Sequence, residues 1–253
     1  MDAYTDFASV YDRFMDNVPY ELWADRIAEI LKEYGIEQGL LLDLCCGTGK
    51  LTRLLRQKGF DMIGVDASEE MLQIALEQDA QNILYLNQDA REFELYGTVQ
   101  AIISACDSLN YITEPEDLKQ VFHLANNYLE ARGLLIFDMN TPYKYEKLLA
   151  QETFAENRED CAFIWDNYYD KEAKINAYDL TLFIADKAGK FDRFEEEHYE
   201  RCYTLSEIQA LLEAAGMEFI GAYDDYTGQP LREDSERMVI VAREMQMEGK
   251  YYE

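Results

Sequence analysis

Short apolar runs alternate with amphipathic stretches along the first 140 residues. Leu40-Leu41-Leu42, Met62-Ile63-Gly64-Val65, Ile83-Leu84-Tyr85-Leu86, Val99 to Ser104 and Leu134-Leu135-Ile136-Phe137 predict five strands. Near-continuous apolar strands belong to a parallel sheet covered on both faces. The intervening segments have helical spacing. Trp23, Ile27, Ile30, Leu31 and Tyr34 share one face of a helix that opens near Pro19 and closes at Gly35. Leu51, Leu54 and Leu55 mark a second helix, and Met71, Leu72, Ile74 and Ala75 a third with Ser68 as its N-cap. Thr113 and Pro115 open a fourth, whose stripe is Leu118, Val121, Phe122, Ala125 and Leu129. Thr141 and Pro142 begin a short helix, and then the period changes. From about Phe154 to Cys202 apolar and polar positions alternate, with turns at Lys174 and at Asp186 to Lys190, which predicts antiparallel strands. Thr204 and Glu207 then form a capping box for a helix that ends at Gly216. Strands from Met217 to Tyr223 and Met238 to Ala242 close the pattern, and the tail from Met245 to Glu253 is expected to be mobile.

The stretch from Gly39 to Asp66 carries the chemistry. A strand runs into the turn Cys45-Cys46-Gly47-Thr48-Gly49, a helix follows, and a second strand ends in Asp66. Such a βαβ unit binds an adenosine-containing cofactor outside the carboxyl ends of a parallel sheet. The glycines let a ligand lie against the backbone and tolerate positive φ. Asp66 stands where a carboxylate can accept both hydroxyls of a ribose. A dinucleotide fingerprint needs a third glycine, but Lys50, Leu51 and Thr52 follow Gly49. Asp43, just before the turn, would repel a pyrophosphate and suits an ammonium group. Asp43, Asp66 and Asp89 are spaced by 23 residues each, so one acid falls at each successive strand tip.

The segment Asp43-Leu44-Cys45-Cys46-Gly47-Thr48-Gly49 resembles motif I of the class I S-adenosylmethionine-dependent methyltransferases, with Cys45 in place of the first glycine. Gln88-Asp89-Ala90-Arg91 resembles the family's third motif, whose acid takes the adenine amino group. Phe7-Ala8-Ser9-Val10-Tyr11-Asp12 is similar to an entry segment that folds over the cofactor in small-molecule members; an amphipathic helix packed on the core fits it equally. The Glu196 to Thr204 stretch resembles the E-x-H-x-x-R-x-Y-[ST] pattern of glycine and sugar-amine N-methyltransferases. The resemblance implies an α/β fold: a Rossmann-like, seven-stranded, mostly parallel sheet in the order 3-2-1-4-5-7-6, flanked by helices, with an inserted antiparallel sheet. Residues 1–140 and 203–245 would bind the cofactor, with residues 1–19 as a lid arm, and residues 141–202 would roof the acceptor. It implies S-adenosylmethionine as cofactor, held by Asp43, Cys45, Gly47 and Gly49, by Asp66, Ala67 and Met71, and by Asp89, Ala90, Ser104 and Tyr11. For Met71 a plain core role fits as well. His198, Tyr11 and Asp107 are the candidates to act on the acceptor's proton. His198 also fits a cross-strand partner of an acid, Asp107 also fits a helix cap, and His123 is read as structural. No Asn/Asp-Pro-Pro-Tyr/Phe motif follows the fourth strand, which lowers the case for a nucleobase acceptor.

The composition narrows the partners. The chain of 253 residues carries 51 acids against 23 bases, a net charge of −28. Such a surface repels nucleic acid and anionic membranes, because affinity for phosphate rests on Lys and Arg. No apolar run reaches the ~20 residues that span a bilayer, and Met1 to Asp6 has no leader pattern. Five cysteines without a C-x-x-C pair suit a reduced, cytoplasmic protein, and no metal-ligand spacing occurs. The expectation is a small-molecule N- or O-methyltransferase, a monomer or homodimer. The alternatives are a nicotinamide-dependent oxidoreductase and a non-catalytic cofactor-binding regulatory module; RNA or protein acceptors fit less well.

Overall fold

The computed structural model describes residues 7–79 and 82–245. Tyr4 and the rest of Met1 to Asp6, and the tail from residue 246 onward, lie outside the described residues. Helices α1 (Ala8–Phe14) and α2 (Tyr20–Glu33) lead into β1 (Leu40–Leu44). Then α3 (Lys50–Gln57), β2 (Asp61–Asp66), α4 (Glu69–Gln78), β3 (Leu84–Asn87) and β4 (Val99–Ser104) follow. A 3-10 turn (Ser108–Tyr111) precedes α5 (Pro115–Tyr128) and β5 (Leu129–Asn140). A π-helical turn spans Lys144–Leu149, where the sequence predicts a short helix. Four antiparallel strands come next: β6 (Thr153–Asn157), β7 (Cys161–Asp170), β8 (Ile175–Ala185) and β9 (Phe191–Arg201). The chain finishes with α6 (Leu205–Ala214), β10 (Met217–Asp224), the two-residue β11 (Gln229–Pro230) and β12 (Arg237–Glu244).

The main sheet has the order β11-β10-β12-β5-β4-β1-β2-β3. Counted by its own strands, this is the expected 3-2-1-4-5-7-6 with the short β11 added at one edge. β3, β2, β1, β4 and β5 run parallel, and β12 is antiparallel to β5. β5 starts at Leu129, earlier than its apolar run, because Leu129 pairs with Val99 before a shift to the Ala101–Leu134 pair. Arg132 takes φ +66° in this irregular stretch, so no apolar pattern marks it.

Alternate strand residues feed two cores. On one face Leu42, Phe122, Phe137, Leu212 and Ile240 pack under α5 and α6. On the other, Leu41, Ile103 and Ile136 meet Trp23, Ile27, Leu31 and Leu55 of α2 and α3. The Thr204–Glu207 capping box and the Ser68 cap are both present. The helix α1 does not join either core. Val10 and Phe14 pack on Cys161, Tyr178, Leu180 and Leu182 of the second sheet, while Thr48 of the Gly turn donates to Asp12 at 2.8 Å. One short helix thus spans from the inserted sheet to the turn after β1.

The strand order reverses between β1 and β4, and ligands of open α/β sheets bind outside the carboxyl ends at such a point. The turn there depends on β2. A Cβ on Gly64 would stand 2.5 Å from the Tyr85 ring and 2.9 Å from Cys46 Sγ. Gly64→Ala is therefore expected to lower stability by about 1–3 kcal/mol through overpacking, and Tyr85→Leu in the same chain should recover most of it. Thermal unfolding measures both, with Gly97→Ala, which meets nothing within 4 Å, as the neutral control.

Candidate functional site

A cavity of about 740 Å³ opens at the carboxyl ends of β1, β2, β3 and β4. Its floor is the turn after β1. Cys45, Gly47 and Gly49 have φ of +62°, +53° and +71°, so three alternate residues are left-handed. Cys45 holds this conformation at a cost of ~1–2 kcal/mol that glycine would not incur. A Cβ on Gly47 would meet nothing within 4 Å. A Cβ on Gly49 would strike the Tyr85 hydroxyl at 2.5 Å, so this glycine makes room for packing and does not line the cavity.

Asp66 fixes the turn. Its Oδ2 accepts the Gly47 N–H at 2.7 Å and its Oδ1 accepts the Ser68 N–H at 2.9 Å. Asn87 Nδ2 donates to the Asp66 and Ala67 carbonyls. Burial raises the Asp66 carboxyl, and these backbone donors oppose the rise. Asp43 is almost fully buried and accepts from Thr52 Oγ1 at 2.5 Å. Burial pushes its carboxyl up to about 7, with the charge of Asp66 acting in the same direction. Asp89 differs. Arg91 grips both of its oxygens, with Nε at 2.9 Å and Nη2 at 2.5 Å, and this bond holds the carboxyl below its usual range. The acid expected to take an amino group thus already faces a guanidinium.

Of the residues expected to hold the cofactor, Asp43, Cys45, Gly47, Asp66, Ala67, Met71, Asp89, Ala90 and Tyr11 line the cavity. Gly49 and Ser104 do not. Ser104 is fully buried at the end of β4, beside Cys45. Two of the three residues expected to act on the acceptor are also displaced from the wall. Asp107, with φ +51°, turns to Arg237 Nη2 and Asn140 Nδ2, each at 2.8 Å. Burial alone would raise its carboxyl, but Arg237 and Lys144 hold it low. The same guanidinium pairs with Asp138, which also accepts from Tyr226 at 2.6 Å. Asp107 is therefore a structural ion-pair member. His198 is buried within the inserted sheet, behind Tyr111, and His123 is exposed on α5.

Tyr20, Lys50, Asn87 and Tyr111 also line the cavity. Tyr20 had a legible signal, since it extends the Trp23-Ile27 stripe by one turn; its hydroxyl lies 3.3 Å from Cys106 Sγ. Lys50 lies over the Tyr20 ring at 4.7 Å.

The charges decide what the cavity suits. Asp43, Asp66, Glu69, Glu70, Asp89, Glu114 and Asp117 face two cations, Lys50 and Arg91, and Arg91 is taken by Asp89 and lies 3.6 Å from Asp117. A pyrophosphate would be repelled and an ammonium or sulfonium attracted. Together with the open space over Gly47, this fits a cationic adenosyl ligand. The protein class so defined is that of the class I S-adenosylmethionine-dependent methyltransferases.

The chain belongs to that family. Residues 41–133 match a family described as methyltransferase domain. YqeM of Bacillus subtilis, itself named as a methyltransferase with no acceptor, is 34% identical over 95% of this chain and 96% of its own. A sugar enzyme of Streptomyces venezuelae, the dTDP-3-amino-3,4,6-trideoxy-alpha-D-glucopyranose N,N-dimethyltransferase, is 25% identical over 84% of this chain and 90% of its own. A crystal structure of an S-adenosylmethionine-dependent methyltransferase from Clostridium acetobutylicum superposes with a TM-score of 0.87 at 28% identity, covering 97% of this chain and all of that one. S-Adenosylmethionine is thus the cofactor, and the nicotinamide alternative falls away.

Two outcomes follow from the acids. The unfolded chain releases the Asp43 proton near 3.8, and the folded cavity releases it near 7. The stability that the neutral form contributes is present below about pH 4 and lost as pH rises through about 7. A cation at the floor favours the ionised form. Cofactor affinity by calorimetry should therefore rise up to about tenfold per unit below pH 7 and level off above it, and Asp43→Asn should flatten the profile. Asp66→Ala leaves two backbone N–H groups without their acceptor. It should cost about 1–3 kcal/mol in thermal unfolding and weaken cofactor binding at least tenfold.

Proposed function

We propose that this methyltransferase acts on a nitrogen or oxygen of a small-molecule acceptor, with an amine favoured. The observation that carries this reading is the shape of the acceptor side. Tyr11, Tyr20 and Tyr111 wall a negatively charged cavity, and α1, packed on the inserted sheet, stands over it. Aromatic walls and carboxylates suit a cation or a neutral amine. They do not suit a polyphosphate backbone, and the net charge of −28 opposes one across the whole surface. The relative from Streptomyces venezuelae, named as an amino-sugar N,N-dimethyltransferase, supports the amine.

The division of labour follows. Residues 1–140 and 203–245 hold the cofactor, and residues 141–202 shape the acceptor side. The bound cofactor supplies a methyl group on a sulfonium sulfur. The chain's own work is positional. Asp43 and Asp66 line the site from the fixed tips of neighbouring strands, and orientation of this kind supplies much of a displacement's acceleration. Tyr11 and α1 exclude water, which strengthens every charge inside. Among the described residues no helix is long and apolar enough to cross a membrane, and the free thiols of Cys45, Cys46, Cys106, Cys161 and Cys202 suit the cytoplasm. We read the working form as a monomer or homodimer.

The test is transfer of a labelled methyl group to four acceptor classes: amino sugars and amino acids, hydroxylated metabolites, RNA, and protein extract. Incorporation into the amines is the expected result. Label found only in RNA or protein would overturn the reading. Tight cofactor binding with no transfer to any class would mark a non-catalytic module.

A further inference from the structure

A chain of hydrogen bonds runs from the cavity wall into the inserted sheet. Tyr111, at the end of the 3-10 turn after β4, lines the cavity. Its hydroxyl lies 3.3 Å from His198 Nδ1 and is hydrogen-bonded to the Tyr178 hydroxyl. His198 Nε2 lies 3.1 Å from Glu196 Oε2. Glu196 Oε1 accepts the Phe7 N–H at 2.9 Å, from the residue that opens α1. The imidazole is held flat against Tyr178, at 4.6 Å and 6°, and both His198 and Glu196 are buried.

The hydrogen bond to Glu196 favours one tautomer. Glu196 already accepts from Phe7, and a carboxylate is an acceptor at both oxygens, so His198 donates from Nε2. Nδ1 then keeps its lone pair, directed at the Tyr111 hydroxyl. A phenol oxygen has one proton and two lone pairs. It can donate to Nδ1, accept from Tyr178, and take up a proton as its own departs. Tyr111 thus links His198 to the cavity.

We propose that Tyr111 is the catalytic residue that takes the acceptor's proton, passing its own hydroxyl proton to His198 Nδ1, with Glu196 as the positioning residue. This rests on the reading that the acceptor is an N–H or O–H compound. The acceptor atom forms its bond to the methyl carbon, and the electron pair of the broken carbon–sulfur bond stays on sulfur. The acceptor's proton moves to Tyr111 Oη, the Tyr111 proton moves to His198, and the imidazolium is stabilised by Glu196 until it returns its proton to water. The Phe7 N–H links the relay to α1, so the segment that stands over the cavity also orients its base.

The chain has two histidines, so nitrogen NMR of the full-length 15N-labelled protein resolves His198 once His123→Gln has assigned the other. Expected in the wild type are a protonated Nε2 and an unprotonated Nδ1, with Tyr111→Phe shifting the Nδ1 resonance alone. A proton on Nδ1, or no shift in Tyr111→Phe, overturns the proposal, and neither reading needs cofactor or acceptor. With an amine that the wild type methylates, Tyr111→Phe should lower kcat about 100-fold, with acceptor KM and cofactor Kd within about threefold. A kcat within about threefold of wild type also overturns it. Absence of cofactor binding in the wild type would instead defeat the functional reading, leaving the tautomer result standing.

Discussion

The bond between Asp66 and the Gly47 N–H organises the site. It ties the end of one strand to the left-handed turn after its neighbour, at 2.7 Å. Without it a half-buried N–H of the turn would lose its acceptor. With it, the positive-φ residues Cys45, Gly47 and Gly49 become a rigid floor, and the cofactor's surroundings are set before any ligand arrives. Pre-set dipoles and charges need no reorganisation when charge moves, which is where catalytic sites gain most.

The second constraint is that α1 belongs to two units at once. Its apolar face is covered by the inserted sheet. Its polar side reaches the Gly turn through Asp12 and Thr48, and Arg158 of the insert holds Asp16 just beyond its end. A segment of this size has little stability by itself. It takes its position from the two surfaces that flank it, the inserted sheet and the Gly turn.

The fold was legible because the parallel strands of the main sheet centre on apolar runs and the helices that cover them carry stripes. The Gly turn, Asp43 and Asp66 were legible as a local motif. What the sequence hid has a common cause. Whether a side chain points into a cavity depends on tertiary partners. Asp107 looks like a loop acid until Arg237, 130 residues later, claims it. His198 looks like a base, yet Tyr111 stands between it and the cavity. Asp89 has the expected place, but its neighbour Arg91 occupies both oxygens. Gly49 matches the motif, and only the position of Tyr85 shows what its missing side chain is for.

Arg237 sits on the last strand, yet its guanidinium pairs with Asp138 of β5 and Asp107 after β4. The ribosome makes Asp138 99 residues before that partner. At ordinary translation speeds the interval is about 5–20 s. Asp138, destined for the interior, stays without that counter-charge for that time, and closing the core around it as an ion would cost several kcal/mol. The cofactor half therefore draws a counter-charge for its buried acid from the last strand to be made, and a polypeptide that stops short of Arg237 lacks it.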